Sequence, residues 1–446
     1  MKATSIKAVL LAASLIFPTW SLAQTKSKDA AAYSSRGIAK LQKNDWDGAI
    51  ADFNRALQFD PKLAQAYDNR GLAKTEKGDL EGAITDFNRV LQLNPKNGIA
   101  YNNRGNAKAH KGDFDGAIAD FNRALQLNPK LAKAYYNRGN AKREKYDLLV
   151  SGAVDEFPFP DYDLGTRKVE KGYLNAAVAD FNRTLQLNPK LAKAYDNRGL
   201  AKFSRGDLDG AMADFNSALQ LDPKLAPAYE ARGVAKEQKG DLDGAIADYN
   251  HAIELNPKLD GAYLNRGKAK AYKGNTDSAI ADFNRALQLN PKLARAYAGR
   301  GSANFLAHNW MAALHDYRRF SELSQRNQEY PRLFIWIIRS RLGEREAADK
   351  ELATHFNAEP GTWVSKVEAY LLGNLSEAEF LAAAASPVAD TDRGQHCEAW
   401  FYAGMKNLLD GNKPAGTEFF KKCLTTEQKS PVEYHFAKAE LKAVGH

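Results

Sequence analysis

Residues 66–96 read AYDNRGLAKTEKGDLEGAITDFNRVLQLNPK, and this stretch returns along the chain at a fixed interval. Its skeleton is Ala66-Tyr67, Arg70-Gly71-Leu72-Ala73-Lys74, Gly78-Asp79, Ala83-Ile84, Asp86-Phe87-Asn88 and Asn94-Pro95. The glycine equivalent to Gly71 recurs as Gly37, Gly105, Gly139, Gly199, Gly233, Gly267 and Gly301. Prolines 61, 95 and 129 are 34 residues apart, as are prolines 189, 223, 257 and 291. The step from Pro129 to Pro189 is 60, one period plus 26 residues. Eight copies therefore span 30–327, one of them interrupted.

Each copy reads as two antiparallel helices. Gly71 and Ala83 are small enough to let the paired backbones approach, while Tyr67, Phe87 and Leu91 fill the space around them. Gly78-Asp79 ends the first helix and caps the second. Pro95 cannot continue a helical hydrogen-bond ladder and opens the connection to the next copy. A single hairpin of this kind buries too little apolar surface to stand alone, so neighbouring copies must complete the core.

This pattern resembles the tetratricopeptide-repeat (TPR) family over two thirds of the chain. The resemblance implies an all-α fold, a right-handed superhelical solenoid of antiparallel helix pairs whose first helices line a concave groove. The copies depart from the commonest TPR pattern at two places. The seventh place is Arg in every copy (Arg36, Arg70, Arg104, Arg138, Arg198, Arg232, Arg266, Arg300), and the twenty-third is Asp (Asp52, Asp86, Asp120, Asp180, Asp214, Asp248, Asp282, Asp316). That strict correspondence points to an Arg–Asp ladder between the two helices, which fixes register more than it adds free energy.

The chain has 446 residues, 44% hydrophobic and 26% charged, the composition of a folded protein, with a formal net charge of +9. Residues 1–23 read as a signal peptide. Lys2 and Lys7 precede the apolar run Ala8–Phe17, and Ser21-Leu22-Ala23 precedes a cut before Gln24. A ten-residue run is too short to span a bilayer. Gln24 stands where a lipoprotein needs Cys, so the expected location is periplasmic or secreted, after a short linker at 24–29. Removing Lys2 and Lys7 leaves a charge of about +7, with Lys and Arg interspersed among Asp and Glu rather than gathered in a stripe, which argues against nucleic acid.

The 26 extra residues, at about 146–171, contain Phe157-Pro158-Phe159-Pro160-Asp161-Tyr162-Asp163 and carry a net charge of −3. They are expected to form a protruding loop: either a tolerated surface insertion, or a partner-binding element using Phe157, Phe159 and Tyr162. Residues 328–396 keep a helical rhythm without the consensus and read as degenerate hairpins, and 397–446 as a final hairpin with a capping helix. Here His396-Cys397-Glu398-Ala399-Trp400-Phe401-Tyr402-Ala403-Gly404, with Glu433-Tyr434 and Ala439-Glu440-Leu441, resembles the closing repeat of NlpI-type periplasmic TPR adaptors. That second resemblance implies an adaptor for envelope proteases or cell-wall enzymes. Cys397 and Cys423, the two cysteines of the chain, fall near adjoining ends of one hairpin, which suggests a disulfide, with two buried thiols as the alternative.

The second, fifth, sixth, ninth, twelfth and thirteenth places of a TPR unit face or border the groove. Asn recurs at the sixth (Asn69, Asn103, Asn137, Asn197, Asn265) and the ninth (Asn106, Asn140). An amide can bond a peptide main chain from either of its groups, or it can bond its own neighbour in the repeat. Tyr136, Phe203, Tyr272 and Phe305 are candidate pockets or stacking faces. TPR domains that grip a C-terminal carboxylate need basic groups where this chain has Asn102 and Asn197, although Asn106, Asn137 and Lys193 match parts of that clamp; carboxylate gripping is not expected. No phosphate loop, H-E-x-x-H or G-x-S-x-G motif occurs, and the eight histidines are scattered, so neither catalytic residues, cofactor nor metal are expected. The reading is a scaffold that binds a protein or peptide, the rival being a structural component of an envelope assembly such as a secretion or polysaccharide-export complex.

Overall fold

The computed structural model describes residues 28–151, 168–324, 329–354, 361–385, 389–426, 432–443 and 445. Residues 1–23 and the candidate loop residues Phe157, Phe159 and Tyr162 lie outside them. The described residues form helices and turns with no strand. Two compact units divide the chain, one comprising Met1–Leu149 with Arg167–Arg205 and the other including Gly206–His446.

In the first unit, the helices are α1 (28–41), α2 (Trp46–Phe59), α3 (Ala64–Lys77), α4 (Leu80–Leu93), α5 (Gly98–His110), α6 (Phe114–Leu127), α7 (Ala132–Ser151), α8 (Lys168–Leu187) and α9 (Ala192–Ser204). The second unit holds α10 (Leu208–Leu221), α11 (Ala226–Gln238), α12 (Leu242–Leu255), α13 (Asp260–Tyr272), α14 (Thr276–Leu289), α15 (Ala294–Leu306) and α16 (Trp310–Leu323). Beyond the consensus copies come α17 (Glu329–Arg341), α18 (Arg345–Ala353), α19 (Trp363–Leu371), α20 (Glu377–Ala382), α21 (Ala389–Leu409), α22 (Lys413–Thr425) and α23 (Val432–Ala443). Within each unit neighbouring helices pack together, α3 on α4 and α5 on α6 in the first, α11 on α12 and α13 on α14 in the second, so the expected all-α repeat solenoid is the fold.

The repeat chemistry sets the local structure. Gly71 lies under the Phe87 ring so closely that an added Cβ would come within 2.7 Å of it. Gly78, at φ 86°, turns the chain out of α3 and lets Asp79 cap α4 by accepting from the Gly82 amide. At the end of α4, Asn94 accepts from the Lys96 amide at 3.2 Å, an Asx turn over Pro95 that aims the chain at the next hairpin.

The Arg–Asp ladder joins both helices of a hairpin and then reaches the previous one. Arg70 donates through Nε and Nη2 to the two oxygens of Asp86, at 2.9 and 2.5 Å, while its Nη1 donates to Asn54 of the preceding hairpin at 2.6 Å. Lys74 pairs with the same aspartate at 2.9 Å, and the guanidinium lies over the Tyr67 ring. The same two-toothed Arg–Asp pair holds for Arg36–Asp52, Arg104–Asp120, Arg138–Asp180, Arg232–Asp248, Arg266–Asp282 and Arg300–Asp316. Arg198 donates to Asn182 at 2.7 Å. In α1, Arg36 is 59% exposed against 17% for Arg70. The sequence showed the pair; the clip onto the previous hairpin emerges only in three dimensions.

Two boundaries differ from expectation. Helices α7 and α8 continue into the insertion, so 146–151 and 168–171 are helical rather than loop. The physical reason is local: Tyr146 to Val150 contains no Gly or Pro, and Arg143 pairs with Asp147 one turn on at 2.6 Å. Likewise α21 starts at Ala389, so the last hairpin begins before Cys397.

The core changes character along the second unit. In the consensus copies it is built of small clusters, one Phe or Tyr among alanines. From α15 onward it becomes one large aromatic cluster including Phe305, Trp336, Tyr402 and Phe436. Past the last ladder pair, Arg300–Asp316, this larger apolar burial holds the helices together.

Candidate functional site

First helices of successive hairpins touch directly, α3 with α5, α11 with α13, and α13 with α15. This layer is the inner side of the repeats, and most sequence-nominated groove residues lie on it. The sixth-place asparagines form rungs between its helices. Asn103 donates to Asp68 at 3.1 Å, Asn137 to Asn102 at 3.0 Å, Asn197 to the Tyr136 hydroxyl at 2.8 Å and Asn265 to Glu230 at 3.4 Å. In each case the sixth place serves the fifth place of the preceding copy. The amides of Asn103, Asn137, Asn197 and Asn265 thus each bond a neighbour in the repeat through one donor, the second of the two roles open to them. Asn69, Asn106 and Phe203 are half-buried on their helices. Tyr136, besides accepting from Asn197, meets Phe181 edge-on.

Asn140 behaves differently. Its Oδ1 is buried with no hydrogen-bond partner, and two further atoms of the same unit share that condition: Nε of Arg143 on the next turn of α7, and Oδ1 of Asp196 on α9. Asp196 is 7% exposed. Burial pushes its carboxyl up to about 6, against the pull of the Arg143 charge. Asp147, paired with Arg143, is also raised by burial. Neither Arg143 nor Asp196 stood out in the sequence, although a signal was present. The copy after Asp196 carries Ala231 at the sixth place, where the others that form this rung carry Asn, so the usual donor is missing from the pattern.

The inner face of the second unit holds a segment of its own chain. Helix α23 packs on α21, α22 and α15. Phe436 stacks on Phe305 with ring centres 4.2 Å apart and meets Phe334 edge-on. Glu440 binds Arg341 at 2.6 Å, His435 approaches the Tyr272 ring, and Tyr402 donates to Glu433. Burial, reinforced by the Glu398 charge, raises the Glu433 carboxyl well above the usual carboxylate range. Phe305, nominated as a groove pocket, is 1% exposed and belongs to this core, because α23 covers it. Tyr272 is half-buried beside the same helix.

Cys397 and Cys423 are free thiols, both fully buried, with one in hydrogen-bond contact with the other. Burial and the adjacent Cys397 push the Cys423 thiol up. The two meet, as their places in the hairpin suggested, as thiols rather than as a bonded pair. Among the described residues no group of three or more His, Cys, Asp or Glu is placed to hold a metal, and no helix is long and apolar enough to cross a membrane.

Family models described as TPR repeat match residues 105–144, 199–240 and 237–274, and models described as tetratricopeptide repeat match 35–102 and 261–293. The chain is a tetratricopeptide-repeat protein. Solved structures similar to this TPR protein include a tetratricopeptide repeat protein from Parabacteroides merdae, 21% identical, covering 61% of this chain and 98% of that one with a TM-score of 0.46. PilF from Pseudomonas aeruginosa is 16% identical over 55% of this chain and 99% of its own, with a TM-score of 0.44. YrrB, described as a TPR protein with an unusual peptide-binding site, is 21% identical over 47% and 95%, with a TM-score of 0.34. No curated protein matches the chain.

Proposed function

We propose that this TPR protein is an exported, non-enzymatic adaptor that holds a peptide segment of a protein partner against the first-helix layer of its repeats. The supporting observation is the inner face of the second unit. There α23 lies on α15 and α21, with Phe436 stacked on Phe305 of α15 and Glu440 paired with Arg341 of α17, so this layer accommodates a further stretch of polypeptide. TPR proteins bind proteins or peptides, which fits the same reading. The export signal at 1–23 and the NlpI-like closing repeat motivate the periplasmic setting and a partner such as an envelope protease, a cell-wall enzyme or an export complex.

The test is site-specific photocrosslinking in the native host. A photoreactive residue replaces Asn106 or Lys133 on first helices, or Thr85 on a second helix. The reading expects adducts with a distinct protein from the first two positions and none from the third. Adducts from Thr85 alone, or only with a second copy of the chain, would favour a structural assembly role instead. Hydrolysis of a cell-wall or peptide substrate in proportion to purified protein would overturn the non-enzymatic part. The exported chain should begin at Gln24, which sequencing of its N-terminus checks.

A further inference from the structure

We propose that Asn140, Arg143 and Asp196 form a recess on the first unit for a basic side chain, lysine or arginine, of a bound peptide. The inference deepens the peptide-binding reading and rests on it. Its basis is the three buried polar atoms that lack partners: Oδ1 of Asn140, Nε of Arg143 and Oδ1 of Asp196. Orphaned atoms of this kind are costly, and each needs a structural or functional reason.

The backbone brings these groups to one place. Tyr136, Asn140, Arg143 and Asp147 stand at i, i+4, i+7 and i+11 of α7, a single helical face. The bond from Asn197 to Tyr136 ties α9 to that face and carries the adjacent Asp196 with it. The Arg143 charge acts on Asp196, so the two lie within electrostatic reach of each other.

The unmet groups define the ligand. Two are acceptors, so the ligand must bring N–H donors. Arg143 already pairs with Asp147 at 2.6 Å and lies 3.8 Å from Glu144, so one cation stands among three carboxylates, counting Asp196. An excess of carboxyl groups around one guanidinium favours an ammonium or guanidinium over a carboxylate or phosphate. The remaining donor, Arg143 Nε, suits a main-chain carbonyl of the same peptide. Phe203, seven residues and two turns beyond Asp196 on α9, offers apolar surface for the methylene stem of a long cationic side chain.

The experiment uses the full chain and a positional-scanning library of N-acetylated, C-amidated octapeptides, followed by binding measurements on the best sequence and its norleucine counterpart. The expected result is enrichment of Lys or Arg at one position and at least tenfold weaker binding after replacement by norleucine. Asp196→Asn should erase that discrimination while leaving the helical circular dichroism intact, and Asp47→Asn, on the exposed start of α2, should preserve it. Retention of peptides without basic selection overturns the recess and leaves the groove standing. Basic selection that survives Asp196→Asn moves the contact elsewhere and likewise overturns it. Failure to retain any octapeptide overturns the groove reading itself.

Discussion

Removing Asp120 should cost about 2–4 kcal/mol, because it strips a partly buried clip of its anion. Asp120 receives Nε and Nη2 of Arg104 at 2.8 and 2.6 Å and Lys108 at 2.9 Å. The Arg104 and Lys108 side chains are 19% and 21% exposed, so water replaces the lost acceptor only in part. Asp120→Ala leaves both cations without their anion, although Arg104 keeps its bond to Asn88 at 2.7 Å. Arg104→Met is milder, roughly 1–3 kcal/mol, since Lys108 still neutralises Asp120. The double substitution should cost less than the sum by about 1–2 kcal/mol, the signature of direct coupling. Stability in a solenoid is local, so the assay is hydrogen exchange of α5 and α6 amides in denaturant, with α13 and α14 as internal controls. Additive costs within ~0.3 kcal/mol, or a single cost below ~0.5 kcal/mol, would refute the ladder as a coupled clip.

Gly105→Ala places a Cβ within 2.8 Å of the Phe121 ring and should destabilise by about 1–3 kcal/mol, read from the same exchange experiment. Phe436→Ala empties the stack on Phe305 and Phe334; a loss of about 3–5 kcal/mol and release of α23, seen as rapid exchange of 432–443, are expected. Asp196→Asn should stabilise the fold at pH 8 by about 1–3 kcal/mol and leave it unchanged near pH 4 in denaturant titrations. The folded carboxyl, at about 6, lies above its unfolded value, so the native chain loses stability as pH rises from about 4 through 6, and the amide escapes that loss. Cys397 and Cys423 are adjacent, so mild oxidation should join them, lowering the intact mass by about 2 Da without a dimer on a non-reducing gel; formation of a mixed dimer instead would show that they do not meet.

The repeat by itself determined most of the architecture. A period of 34 with Gly71, Asp79 and Pro95 at fixed places dictates helix, cap and turn, since each acts through its own backbone or its nearest neighbours. The Arg70–Asp86 pair was legible for the same reason: both partners lie in one hairpin, and eight copies reported the correlation. What crosses between hairpins was not. The bond from Arg70 to Asn54, and the commitment of Asn103 to Asp68, depend on how one copy rotates against the next. Only that packing separates the asparagines that build rungs from Asn140, whose carbonyl is left without a partner. The fate of Phe305 depended likewise on tertiary structure, because the residues that bury it, Phe334 and Phe436, come from helices outside the consensus. A local pattern fixes local geometry; which inner surfaces stay open is settled by contacts among residues tens of positions apart, which no single period encodes.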